Sequence, residues 1–413
     1  MENHEDFASQ QIFYRKGGSE TYYFDLISLL NSKGHTIIPF SMQDSKNESS
    51  AFQEYFVKNL NLTNPSLLNL ISKIPQAVYS QEAAEKLEKL ITAEKPDIAH
   101  LHNIDRHITP SIIPVLKKHK IPVVMTLHDY KLICPNSTLF TQRKICEKCR
   151  GGKFYFAPLQ RCIHGSLAVS TIGCLEAYVH RFLKLYNGVD LFLAPSQFLK
   201  NKFIEFGFPP EKLIHLPLFL SFDQSFKLKG QKSNDYFLYF GRLSEEKGLR
   251  FLISVFRKIP EIKLKIAGSG PLEQELKNLA GSNQNIEFLG YQEKNKLYNL
   301  IQGARAIVSP SLWYENASYS VMETMVLGKT VIASKMGGIP ELIADNKTGF
   351  LFEPGNEKEL EEKIRYCLDN PEKIVEIGET ARKEAIRRFD PETHYRKLMS
   401  VYKQLLQNRA PRI

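Results

Sequence analysis

Short β-rich runs alternate with amphipathic helical stretches along most of this chain. A parallel sheet needs that alternation, because each strand must be followed by a helix that crosses back over the sheet before the next strand begins. The first half predicts strands at 35–40, 97–101, 122–126 and 190–194. The second half predicts them at 236–240, 263–267, 286–289, 306–309 and 330–333, with helical patterns at 246–257, 272–279 and 295–302. Segment 218–235 lacks periodicity and is rich in Ser, Lys and Gln, so it reads as a hinge. The 413 residues leave room for two separate cores. The expected organisation is an α/β domain over 1–217, the hinge, and a second α/β domain over 236–388. A final segment, 389–413, carries an amphipathic helix expected to pack back on the first domain.

Charge and composition narrow the function classes. Apolar runs such as 121–127 are broken within a few residues, well short of the ~20 that a membrane-spanning helix needs. Residues 1–10 are polar and acidic and show no secretory signal, which predicts a cytoplasmic protein. The formal charge of +10 suits phosphate-bearing partners, and equally a solvated surface with surplus Lys. Basic residues dot the amphipathic stretches 115–120 and 178–184, which fit contact with an anionic membrane on its cytoplasmic face as well as ordinary helix faces. No recognition helix or interleaving of aromatic and basic residues points to nucleic acid.

Five of the six cysteines fall between Cys134 and Cys174, and most of these lie in a long, poorly periodic stretch at 129–165. Only Cys146 and Cys149 have the C-x2-C spacing of a zinc half-site. With Cys134 and Cys162 they form a candidate structural zinc set; the alternative is a loop of reduced thiols.

The densest chemistry lies between Ser309 and Glu341. A strand ends in Pro310-Ser311-Leu312-Trp313-Tyr314-Glu315, small residues follow, and a helix runs from about Tyr319 to Leu327. Free N–H groups at such a helix start favour phosphate. Seven residues separate Glu315 from Glu323. Carboxylates only accept hydrogen bonds, so the pair suits sugar or ribose hydroxyls better than phosphate. It also fits solvated acids that stabilise the helix dipole.

Gly241-Arg242 and Lys247 follow the strand at 236–240, where ligands bind in open α/β sheets. Arg242 can grip a phosphate with two prongs and Lys247 offers a point charge. Gly268-Ser269-Gly270-Pro271 follows another strand but has Glu273 where a dinucleotide fingerprint needs its third glycine. Gly328-Lys329-Thr330 has Glu323 where a phosphate-binding Walker loop needs its leading glycine. Gly337-Gly338-Ile339-Pro340-Glu341 adds a further glycine turn. In the first half, Gly17-Gly18-Ser19-Glu20 opens a helix and His128 follows the strand at 122–126. His100 and His102 flank the end of another strand.

This ordered set resembles glycosyltransferase family 4, retaining enzymes of the GT-B fold. The likeness rests on Gly17 to Glu20, Gly34-His35, Thr126 to Asp129, Gly241-Arg242 with Lys247, Gly268 to Leu272, Glu315 to Glu323, and Gly337 to Glu341. The Cys134 to Cys162 segment looks like an insertion found in a bacterial subset. The resemblance implies two Rossmann-like, doubly wound domains facing across a cleft, with a nucleoside-diphosphate sugar as donor substrate. Arg242 and Lys247 would hold its diphosphate, Glu323 the ribose and Glu315 the sugar. Ser318, Tyr319 and Ser320 would touch phosphate or sugar, with Gly268 and Tyr291 completing the donor set. Gly17 and Gly18 would approach the donor, and His128 would contact its sugar near the reacting centre. The implied acceptor is a saccharide or lipid-linked saccharide of a bacterial surface polymer.

No D-x-D motif occurs in the chain. Fixed cations and helix dipoles would then neutralise the leaving diphosphate without a metal cofactor. Three alternatives stay open: a sugar-nucleotide epimerase of the same fold, an inactive transferase-like scaffold, and a nucleic-acid-binding protein. Two departures stand out. Ala317 occupies a position where an aromatic residue is commoner. The polar residues 1–10 stand where the family places a hydrophobic first strand, so that strand is expected to be missing, displaced or wrongly started.

Overall fold

The computed structural model describes residues 5–60, 67–221 and 235–407. It divides into two compact units. The first comprises residues 1–137, 147–218 and 391–413; the second comprises 138–146 and 219–390. Most of the expected hinge, 222–234, lies outside the described residues. The Cys-containing stretch 129–165 is shared, with 138–146 belonging to the second unit.

The first unit carries strands β1 (Glu5–Ser9), β2 (Thr36–Phe40), β3 (Ile98–Leu101), β4 (Val123–Thr126), β5 (Leu191–Ala194) and β6 (Leu213–His215). They form one parallel sheet in the order β2-β1-β3-β4-β5-β6. The expected loss of the first strand is therefore corrected. Glu5–Ser9 pairs with both β2 and β3 in register, despite its acids. Phe7 anchors it in the core, and Asp6 is buried with it.

The C-terminal helix Pro391–Gln407 belongs to this unit and is tied to it by rings and hydrogen bonds. His394 meets Tyr22 Oη at 3.1 Å, Tyr395 Oη meets His35 at 2.9 Å, and Tyr402 Oη meets His100 at 2.7 Å. Each bond satisfies a buried polar tip on an aromatic body that fills the core.

The second unit carries β7 (Tyr236–Phe240), β8 (Lys263–Ala267), β9 (Ile286–Gly290), β10 (Ala306–Ser309), β11 (Val331–Ser334) and β12 (Phe350–Phe352). Their order, β9-β8-β7-β10-β11-β12, is the doubly wound order with the first strand inside. All five residues of β7 are buried, as a central strand covered on both faces requires. The Leu249–Lys258 helix turns Leu249, Leu252, Ile253 and Phe256 to the core and keeps Arg257 and Lys258 in its last turn, where they complement the dipole. Because every strand of this six-stranded sheet is parallel, the loops carrying Arg242, Gly268, Tyr291, Glu315 and Gly337 all leave from one edge of it.

Candidate functional site

Three of the second unit's edge loops are welded together by backbone. Leu243 N–H donates to Ser269 O at 2.9 Å, and Gly268 N–H donates to Gly290 O at 2.7 Å. A Cβ on Gly268 would sit 1.9 Å from the Gly241 carbonyl oxygen, at a φ of 142° that disfavours other residues. That glycine therefore permits one loop backbone to pass close to another. Gly337 does the same under Glu315, whose carbonyl oxygen accepts from Gly338 N–H at 2.7 Å.

The result is a fixed seat for Glu315, which is only 5% exposed. Lys247 Nζ lies 2.7 Å from its Oε1, and Ser311 Oγ donates to the same oxygen at 2.5 Å. The Lys247 ammonium also sits 5.2 Å from the centre of the Trp313 ring. Burial pushes the Glu315 carboxyl up, but the Lys247 charge and hydrogen bonds from Lys247, Ser311 and Trp313 outweigh it. The carboxyl is held below its ordinary range and stays ionised at neutral pH.

Four residues after Glu315 the helix Tyr319–Val326 begins, with Ser318 at its N-cap. The Ser318 side chain makes no capping bond; its hydroxyl meets Ser320 Oγ at 3.0 Å. The helix start thus presents backbone N–H groups that its N-cap side chain does not take. Glu323 lies one turn further in and is half-buried. Arg242 is exposed and, among the described residues, forms no ion pair. Tyr291 is 76% exposed beyond the end of β9. The structure brings Lys247 and Glu315 into direct contact, whereas the family resemblance implies separate partners for them. It adds Ser311 and Trp313, four and two residues before Glu315, which the sequence does not mark because a Ser and a Trp in a loop carry no spacing signal.

In the first unit, Gly17 caps and Gly18 opens the helix Gly18–Ser32, both exposed. Gln10 Nε2 donates to the buried Glu20 beside them at 3.1 Å. His128 follows β4 and joins a stack of imidazoles. The His100 and His102 rings lie 4.4 Å apart, the His102 and His128 rings 5.3 Å, and His102 Nδ1 meets His128 Nε2 at 3.0 Å. Burial pushes His128 down to about 3, and burial with neighbouring imidazoles does the same for His100. His128 is thus a neutral hydrogen-bonding ring at physiological pH.

The cysteines do not assemble as expected. Cys149 and Cys174 pack with Phe154 and Ala157 in an apolar cluster, with Cys162 against it. Among the described residues no group of three or more His, Cys, Asp or Glu is placed to hold a metal ion. The zinc set of Cys134, Cys146, Cys149 and Cys162 is not supported, and two of its members, Cys149 and Cys162, pack in or against the apolar cluster.

Comparison with known proteins decides the family. Residues 16–222 match the model "Glycosyltransferase Family 4", and residues 221–384 match "Glycosyl transferases group 1". The chain belongs to glycosyltransferase family 4. Over 215 residues this glycosyltransferase is 30% identical to the sulfoquinovosyl transferase SQD2 of Arabidopsis thaliana, covering 48% of the chain and 42% of that protein. It is 28% identical over 348 residues to a 42.6 kDa protein in the cps region of Klebsiella pneumoniae, covering 80% of the chain and 84% of that protein. Among solved structures, Anabaena HepE in complex with UDP and glucose superposes with a TM-score of 0.63 at 20% identity, covering 97% of this chain and all of that one. A glycosyltransferase from Rickettsia africae gives a TM-score of 0.67 at 18% identity, over 99% and 100% of the two chains. The fold of this family 4 member is GT-B, with two Rossmann-like domains.

Proposed function

We propose that this glycosyltransferase moves a sugar from a nucleoside diphosphate to a saccharide or lipid-linked acceptor, with retention of configuration and without a catalytic metal. The acceptor reading is supported by relatives named for polymer assembly, among them the amylovoran biosynthesis glycosyltransferase AmsK of Erwinia amylovora. The observation that carries the reading is the ion pair of buried Glu315 with half-buried Lys247, four residues before the start of helix Tyr319–Val326.

In the reaction, the bond from the anomeric carbon to the diphosphate oxygen breaks, and its electron pair leaves with the diphosphate. The acceptor oxygen bonds to the anomeric carbon on the same face, and the hydroxyl proton passes to the departing diphosphate oxygen. Negative charge therefore grows on the diphosphate. Arg242, Lys247 and the helix N-terminus stabilise it, with Ser318, Tyr319 and Ser320 at the helix mouth. An ammonium has three donors, so Lys247 can hold Glu315 and a phosphate oxygen together. Glu315, ionised and rigid, accepts from sugar hydroxyls, and Glu323 accepts from the ribose. Gly268 and Tyr291 sit on the same sheet edge as part of the donor set. Gly17, Gly18 and the neutral His128 take the donor-facing roles of the first unit. The chain's lack of a D-x-D motif supports the metal-free reading.

The test incubates the protein with nucleotide sugars and acceptor saccharides in excess chelator, with product configuration read by NMR. Full activity and a retained anomeric configuration support the proposal. Abolished activity in chelator, an inverted product, or an isomeric sugar nucleotide in place of free nucleoside diphosphate contradicts it.

A further inference from the structure

The helix Leu167–Phe182 of the first unit is built inside out. Its buried face carries Ser170, Gly173, Cys174, Glu176 and His180. The polar members of that face are anchored. Glu176 pairs with Lys131 at 2.9 Å, His180 Nε2 meets the Val78 carbonyl at 2.6 Å, and Ser170 Oγ accepts from Ile163 N–H at 3.0 Å. Its solvent face carries Leu167, Leu175, Tyr178, Val179 and Phe182, the last 86% exposed. Positions 175, 178, 179 and 182 lie three and four residues apart, which places them on one stripe. Leu183 continues the stripe, and Tyr155 and Leu159 are exposed at the adjoining helix Phe156–Gln160. Most of the exposed large apolar side chains among the described residues fall within this segment. A surface helix of a soluble protein ordinarily shows the reverse arrangement.

The charge along this segment is mostly basic, and the carboxylates at its edge, Glu147 and Glu205, are both paired with Lys202. Lys148, Arg150, Lys153, Arg161, Arg181 and Lys184 are all exposed, and the one carboxylate between 148 and 184 is the buried Glu176. An apolar stripe rimmed by cations can set its rings and aliphatic chains at the acyl boundary while its cations meet anionic headgroups. A two-fold contact with a second copy would bring the basic rim against itself.

We propose that this face docks the protein onto an anionic lipid bilayer. The inference is independent of the donor-site reading, because none of these residues belongs to it. The test is flotation of the full chain with phosphatidylcholine vesicles, with and without about 30% phosphatidylglycerol, at low salt and at about 0.5 M salt. The anionic vesicles should carry the protein, the neutral ones should not, and high salt should weaken binding. Leu159→Glu with Phe182→Glu should lower partitioning at least about tenfold with an unchanged melting temperature, since both side chains are in water in the free protein. Lys153→Glu with Lys184→Glu should abolish the preference for phosphatidylglycerol. Failure of the wild-type chain to float with anionic vesicles overturns the proposal, as does wild-type flotation of the Leu159/Phe182 variant. A dimer in sedimentation that Phe182→Glu dissolves would assign the face to a second copy instead. Nucleoside-diphosphate binding, measured on the same variants, reports separately on the donor site and should not change.

Discussion

Each unit of this glycosyltransferase buries a carboxylate, and the two are treated in opposite ways. Glu315 of the second unit is 5% exposed and Asp6 of the first is 2% exposed. Glu315 has Lys247, Ser311 and Trp313 around it and is held below its ordinary range. Among the described residues neither Asp6 oxygen has a hydrogen-bond partner, and His35 Nδ1 is 3.7 Å away. Burial, with Asp97 adding to it, pushes Asp6 up to about 8. Burial alone therefore does not make a functional acid. A built set of partners keeps Glu315 charged, whereas Asp6 is the cost of a polar residue in a strand whose place is central.

Lys247→Ala should have the largest effect. Turnover should fall about 10²–10³-fold, the usual cost of removing a preorganised transition-state donor. The fold should also lose about 2–3 kcal/mol, below the full cost of a broken buried pair because Lys247 is a quarter exposed. Steady-state rates and thermal melts measure both. Arg242→Ala separates the two effects, losing turnover without stability because Arg242 is exposed.

Asp6→Asn should do the opposite and stabilise. Its folded value near 8 lies above its ordinary 3.8, so native Asp6 prefers its proton. The penalty is absent below the ordinary value, grows as pH rises, and is complete above about 8. Denaturant melts should therefore show a gain of about 2–5 kcal/mol at pH 8 and almost none at pH 4. Glu315 has the reverse sign: its contribution is present above the ordinary carboxylate range and is lost as pH falls through its depressed value.

Gly337→Ala sharpens the comparison by attacking the seat and leaving the acid in place. The new Cβ would lie 2.2 Å from the Glu315 carbonyl oxygen at a φ of 62°, so stability should drop by about 2–4 kcal/mol and turnover should fall with it. Tyr291→Ala should be the mildest change. With 76% of the residue in water, stability should move by less than about 0.5 kcal/mol, leaving any loss to appear in the donor KM.

The sequence made the edge loops legible because each follows a strand with strong apolar patterning. Tyr236–Phe240 before Arg242 and Ala306–Ser309 before Glu315 are buried throughout. Glu5–Ser9 was not legible, since two acids in five residues contradict a central strand until pairing on both sides is seen. Leu213–His215 and Phe350–Phe352 are edge strands of three residues, too short for any period to register. The Lys247–Glu315 contact spans 68 positions, and no local spacing encodes it. The C-x2-C pair suggested zinc, but packing against Phe154 and Ala157 gives the nearby thiols an apolar use.

The proposed grip of the second unit on a diphosphate, through Arg242, Lys247 and the Tyr319–Val326 helix start, is open to calorimetric titration of UDP, GDP, ADP and dTDP into the wild-type chain and Arg242→Ala. At least one nucleoside diphosphate should bind the wild type without added metal, and its affinity should fall at least about tenfold in the variant, as loss of a charge-assisted phosphate contact implies. Equal affinity in the two proteins, or no binding of any of the four, would contradict it.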